Sequence, residues 1–205
     1  LKKGAAIGLL AALVVLLAGC GDRPVTTIRK PGLDGPSTAA LQTALAPVLG
    51  DRVTALYVAF GQMVDGGYAS SVVFTTTAGC VYEGDLYATH VGAGWLIREL
   101  SFGALRRNVP LSGSEMSGRT ANGRAYDIVS GVIGNKDIAY VVLTLADGSS
   151  VRVREEPLFH TYAFVQSVSV QQVRKVAGYS VNGTLIYDCP VEDVNENAYP
   201  TWEPV

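Results

Sequence analysis

Histidine is scarce in this 205-residue chain: only His90 and His160 occur, with three cysteines beside them. No H-x-x-H, C-x-x-C or H-E-x-x-H spacing can be assembled from so few, so a zinc centre built from closely spaced ligands has no footing. There is no G-x-S-x-G to mark a serine elbow, and no S-x-x-K to mark a serine–lysine pair. No metal and no cofactor is expected. Charge of one sign is lacking too. Sixteen Lys and Arg stand against 18 Asp and Glu, a formal net charge of −2, which leaves no electrostatic footprint for nucleic acid. Beyond the first stretch, no apolar run approaches the roughly 20 residues that a spanning helix needs.

That first stretch, LKKGAAIGLLAALVVLLAGC, is where the sequence speaks most clearly. Lys2 and Lys3 make a cationic start, and Ala5 to Leu17 is apolar apart from the small Gly8. A charged n-region, an apolar h-region and small residues at a cut site make a secretory signal, spanning residues 1–19. The segment Leu17-Ala18-Gly19-Cys20 resembles the lipobox of bacterial lipoproteins. The resemblance implies a diacylglyceryl thioether on Cys20, cleavage just before it, and acylation of the new amino group by a chain such as palmitate. Two or more acyl chains give stable anchoring at about 0.8 kcal/mol per buried methylene. No polybasic run follows, so the lipid alone would hold the membrane. The expected location is a cell membrane, on its extracytoplasmic face.

Residues 20–36 carry the lipidated cysteine and a Pro- and Gly-rich tether. Ser37 or Thr38 can cap a short helix with Leu41, Leu45, Val48 and Leu49 on one side, shortened by Pro47 and Gly50. Residues 37–190 read as a β-rich globular domain, with room for a subdivision near 104–125, and 191–205 as an acidic tail. Runs rich in Val, Ile, Thr, Tyr and Phe recur: VTALYVAF, SSVVFTTT, GWLIREL, YDIVSGVI, IAYVVLTL, SVRV, FHTYAFV, VRKVAGYS and TLIYD. The polar, glycine-rich RRNVPLSGSEMSGRTANGRA between the third and fourth reads as a long loop or insertion.

One hairpin fixes its own register. A two-residue loop in AYVVLTLADGSSVRV would set Leu143 against Arg152. A three-residue loop, Ala146-Asp147-Gly148, instead pairs Leu145 with Ser149, Leu143 with Val151 and Val141 with Val153, separating core from solvent. Asn182-Gly183 marks a second hairpin. The expected fold is mainly β: an antiparallel β-sandwich or small barrel-like sheets, with one short N-terminal helix. The stretch from Tyr126 to Val153, with VAGYSVNGTLIYD after it, looks like the small β-sandwich domains of many secreted bacterial proteins. That likeness speaks to fold, not function.

Candidate chemistry is thin. His90 and His160 sit in strand-like aromatic runs and read as half-buried sheet residues. Glu83 and Asp85 flank Gly84 at strand spacing, which puts both on one face, although a charged turn between strands is the plainer reading. Glu155 and Glu156 adjoin Pro157, and Glu192, Asp193 and Glu196 read as a solvated acidic tail rather than a calcium loop. Cys80 and Cys189 are the disulfide candidates, since the compartment permits a bridge. Tyr82, Tyr87, His90 and Trp95 are the candidate binding face, a platform for a sugar or peptide if they point outward. The leading expectation is a non-enzymatic lipoprotein that binds or scaffolds an envelope protein or glycan. The alternatives are a glycosidase-like envelope hydrolase using paired carboxylates, and a purely structural surface protein.

Overall fold

The computed structural model describes residues 35–50, 52–167 and 172–193. The signal 1–19, Cys20, most of the tether and the tail beyond Asp193 lie outside the described residues. The helix α1 (Thr38–Leu49) starts where expected: the Ser37 hydroxyl accepts a hydrogen bond from the Ala40 amide at 3.1 Å, satisfying one otherwise orphaned donor. Leu41, Ala44, Leu45 and Leu49 form its buried stripe. Val48, assigned to that stripe from sequence, is 42% exposed on the far side.

Three sheets follow, and none closes into a barrel. Sheet I is a meander of β1 (Val53–Val64), β2 (Gly67–Thr76), β3 (Val81–Val91) and β4 (Gly94–Ala104). Sheet II takes β5 (Ser114–Arg119), β6 (Ala125–Val132), the two-residue β9 (Glu155–Glu156), β10 (Thr161–Gln166) and the two-residue β13 (Glu192–Asp193), in the order β13-β5-β6-β10-β9. Sheet III is β12 (Leu185–Cys189), β11 (Val173–Tyr179), β7 (Tyr140–Leu145) and β8 (Ser150–Val153), in that order. Every pairing is antiparallel except the short one of β13 with β5.

The layers stack as helix, sheet I, sheet II, sheet III. Leu41, Leu45 and Leu49 of α1 pack with Tyr68, Val72, Phe74, Leu86 and Ala88 on one face of sheet I. The other face of sheet I meets sheet II through Val64, Ala69, Tyr87, Met116, Tyr126, Ile128 and Val165. Sheet II meets sheet III through a larger cluster that includes Leu111, Val129, Tyr162, Val141, Leu143, Val153 and Val176. Position in the stack, and at the centre or edge of a sheet, sets how far a strand is buried. Strands β2 and β6 lie in inner layers and are buried on both faces, while β7 in the outer sheet alternates half-buried and buried.

The predicted hairpin register is the observed one: Val141 faces Val153, Leu143 faces Val151, and the Leu145 amide donates to the Ser149 carbonyl at 2.9 Å. Gly148 has φ 82°, the left-handed position that such a loop requires. Residues 77–79, 121–123 and 181–183 repeat this three-residue loop with the same pair of closing amide bonds. The sequence reading found nine strands and missed two long ones. Val81–Val91 is β3, and Ser114–Arg119 is a strand inside the stretch read as a long loop, paired with β6 along its whole length.

Candidate functional site

The seam between sheets I and II gathers the unusual chemistry of the protein. Alternation along β3 sends Tyr82, Leu86 and Ala88 toward α1 and leaves Glu83, Asp85 and Tyr87 on the side of sheet II. Glu83 and Asp85 therefore share a face, as their spacing implied, but they do not form a charged turn. They lie in mid-strand, opposite Val73 and Ser71 of β2 and Gly103 and Ser101 of β4.

Asp85 is 2% exposed. Its Oδ2 accepts a hydrogen bond from the Ser130 hydroxyl of β6 at 2.8 Å, and its Oδ1 has no hydrogen-bond partner. The Ser130 hydroxyl lies 3.4 Å from that of Ser114, and the Ser71 hydroxyl favours the charged form of Asp85 from β2. Desolvation outweighs these hydroxyls and, helped by repulsion from Glu83, pushes the Asp85 carboxyl up to about 8. Glu83 rises to about 7, again through desolvation, against the opposing pull of the Arg106 charge. Asp127 adds to the repulsion from the opposite face of β6, where it accepts bonds from Ser117 and from Gln166.

Further along the seam, Tyr87 stacks on Tyr126 with ring centroids 4.4 Å apart. The Tyr126 hydroxyl donates to Glu99 of β4, and burial with that bond raises the phenol so that it stays a donor. Gly118 makes this approach possible, since a Cβ there would fall 2.2 Å from the Glu99 carboxylate. At one end Asp65 accepts from Thr120 at 2.6 Å and Asn122 at 3.1 Å. Elsewhere Tyr57 donates to Glu156 at 2.8 Å, while Glu156 also accepts from the Leu158 and Phe159 amides.

The proposed aromatic face is divided. Tyr82 stacks against Phe74 on the helix side of sheet I, and Tyr87 is buried in the seam on the opposite side. Only His90 and Trp95 meet, as cross-strand partners with rings 5.4 Å apart. The reading of both histidines as half-buried sheet residues holds only for the strand position of His90, which lies in β3 but is exposed; His160 occupies an exposed turn at φ 56° with its Nδ1 against the Glu155 carboxylate. No disulfide joins Cys80 to Cys189: Cys80 sits in the turn between β2 and β3 of sheet I, and Cys189 ends β12 in sheet III, with sheet II between them. Glu192 and Asp193 belong to β13, and Glu196 lies outside the described residues.

Among the described residues no cluster of three His, Cys, Asp or Glu could hold a metal, and no helix is long and apolar enough to cross a membrane. An open depression between α1 and the start of β1 is lined by Ala39, Gln42, Thr43, Ala46, Gly50 and Val53, none of them charged. Compared with protein families, curated proteins and solved structures, the chain matches none. Sequence reasoning missed Ser71, Ser114, Ser130, Glu99 and Tyr126. The available signal was an acid set inside an apolar β run, Asp85 before Leu86, Tyr87 and Ala88.

Proposed function

We propose that this chain is a lipid-anchored lipoprotein of the cell envelope, held by acyl chains on Cys20, whose β body binds or scaffolds an envelope protein or glycan. The observation that carries the reading is the run Leu17-Ala18-Gly19-Cys20 at the end of a cationic and apolar leader. The Pro- and Gly-rich composition of the stretch after Cys20 suits a leash, and the fold lends one further support. One of the paired acids that a glycosidase would use, Asp85, is enclosed between two sheets instead of lining an open cleft, which favours binding over hydrolysis.

The test is the intact mass of membrane-extracted protein, wild type beside Cys20→Ala. The reading expects a wild-type mass that begins at Cys20 and carries a diacylglyceryl group, and loss of that group in the variant. Wild-type protein that retains residues 1–19 without lipid would overturn it.

A further inference from the structure

Sheet I uses only chain from Val53 to Ala104, and sheets II and III only chain from Ser114 onward. No strand of one part pairs with a strand of the other among the described residues. The seam is held instead by the small apolar cluster around Tyr87 and Tyr126 and by side-chain bonds: Asp65 to Thr120 and Asn122, Glu99 to Tyr126, Glu156 to Tyr57, and Asp85 to Ser130. The boundary between sheets II and III has the larger apolar cluster. Strand pairing bridges neither boundary, but the chain crosses between sheets II and III several times and leaves sheet I only once, so the seam is the boundary that can part about a single connection, 105–113.

Its deepest polar group is the Asp85 carboxyl, with one oxygen on a serine hydroxyl and the other on nothing. A buried carboxylic acid tolerates that setting, whereas a buried carboxylate does not. The groups that bear on it are Glu83 on its own strand, Ser71 from β2, Ser130 from β6, and Asp127 through β6. Tyr162 of β10 feels both acids, Arg106 after β4 acts on Glu83, and Glu99 of β4 is engaged by Tyr126. Arg106 is exposed, so its charge offsets the outer acid while Asp85 keeps only hydroxyls for company.

We propose that Glu83 and Asp85 are the proton-binding residues of a pH-operated latch: protonated, they let sheet I lie closed on sheet II, and ionised, they part the seam. Both folded-state values lie above those of the exposed acids, near 7 for Glu83 and 8 for Asp85. The closed form therefore holds protons that an opened form releases. Closure is fully favoured below the ordinary carboxylate range and is lost as pH rises through 7 and then 8. The opening constant grows by up to about tenfold per pH unit for each proton released. Opening would expose Tyr87, Met116 and Tyr126, a face otherwise hidden between the sheets.

The test follows amide hydrogen exchange of the full chain in detergent at pH 6 to 9, corrected for intrinsic base catalysis, with infrared difference spectra of protonated carboxyls over the same range. The latch expects protection in β3 and β6 to fall by tenfold or more across this range, with β7 and β11 steady. It also expects a protonated-carboxyl band that disappears by pH 9. Asp85→Asn should remove much of that band and flatten the loss of protection, and Glu83→Gln should do the same in part. If Asp85→Asn does not fold, the wild-type infrared band decides alone. No band at pH 6, or loss of protection spread equally over β7 and β11, overturns the proposal.

Discussion

Replacing Gly131 by alanine tests how closely sheet II is assembled. Gly131 is buried in β6 opposite Tyr162 of β10. A Cβ there would sit 2.1 Å from the Ser112 carbonyl oxygen and 2.8 Å from the Tyr162 hydroxyl. Neither can yield alone. The Tyr162 hydroxyl donates to that carbonyl at 2.6 Å, and Ser112 is pinned to Val132 by two further bonds of 3.0 Å. Overpacking costs about 1–3 kcal/mol, and stranding a buried hydroxyl and carbonyl costs about 1–3 kcal/mol more. The lower chain entropy of unfolded alanine returns about 0.4–1 kcal/mol. The net expectation is a loss of about 1–5 kcal/mol, or a fall in Tm of about 2–20 °C for a chain of this size. The control is Gly103→Ala near the end of β4, where a Cβ meets nothing within 4 Å; it should change stability by less than about 0.5 kcal/mol. Urea unfolding of both variants makes the comparison. Tyr162→Phe removes one of the two colliding groups, so in the Gly131→Ala background it should cost about 1 kcal/mol less than it does alone. If Gly131→Ala unfolds with the same midpoint and slope as Gly103→Ala, the close approach of Ser112 to β6 is wrong.

Two further outcomes are expected. Leu143→Ala, at a fully buried position between sheets II and III, should cost about 2–5 kcal/mol in urea unfolding. Val142→Ala, one residue away on the outer face, should cost under about 1 kcal/mol, and equal costs would mean that β7 is inverted. Alkylation of denatured protein without reductant should modify both Cys80 and Cys189, as read by peptide mass. A two-proton mass gain on reduction would instead restore the bridge that their placement in different sheets argues against.

What could be read from the sequence follows from layer position. The Leu143 hairpin was legible because sheet III is an outer sheet: one face is wet, the alternation of apolar and polar residues is clean, and only one register sorts them. Inner strands lose that rhythm. Strand β5, SEMSGR, contains no β-branched residue and almost no apolar one, so propensity gave it no weight. Its burial comes from neighbours above and below, which no local pattern encodes. Yet its turn was within reach, because Ala121-Asn122-Gly123 is the same loop as Ala146-Asp147-Gly148 and Val181-Asn182-Gly183. The acids of β3 failed differently. Spacing put Glu83 and Asp85 on one face, but the cost of burying charge argued for a solvated turn. Serine hydroxyls and a retained proton are the compensation that the sequence alone did not display. The cysteine pairing rested on compartment and count, and neither carries geometry.

The meander of sheet I has a consequence for the order in which the protein assembles. Each of its strands pairs with the strand next to it in sequence, and α1, which covers its outer face, precedes them all. Sheet II must wait for β10 to reach β6 across sheet III's first hairpin, and sheet III must wait for β11 to return to β7 before β12 folds onto its free edge. Short-range pairings close faster than long-range ones. A chain delivered amino-terminus first can therefore complete its helix-covered sheet while the remainder is still in transit. That leading half then offers a finished surface on which β6 and its neighbours are templated as they arrive.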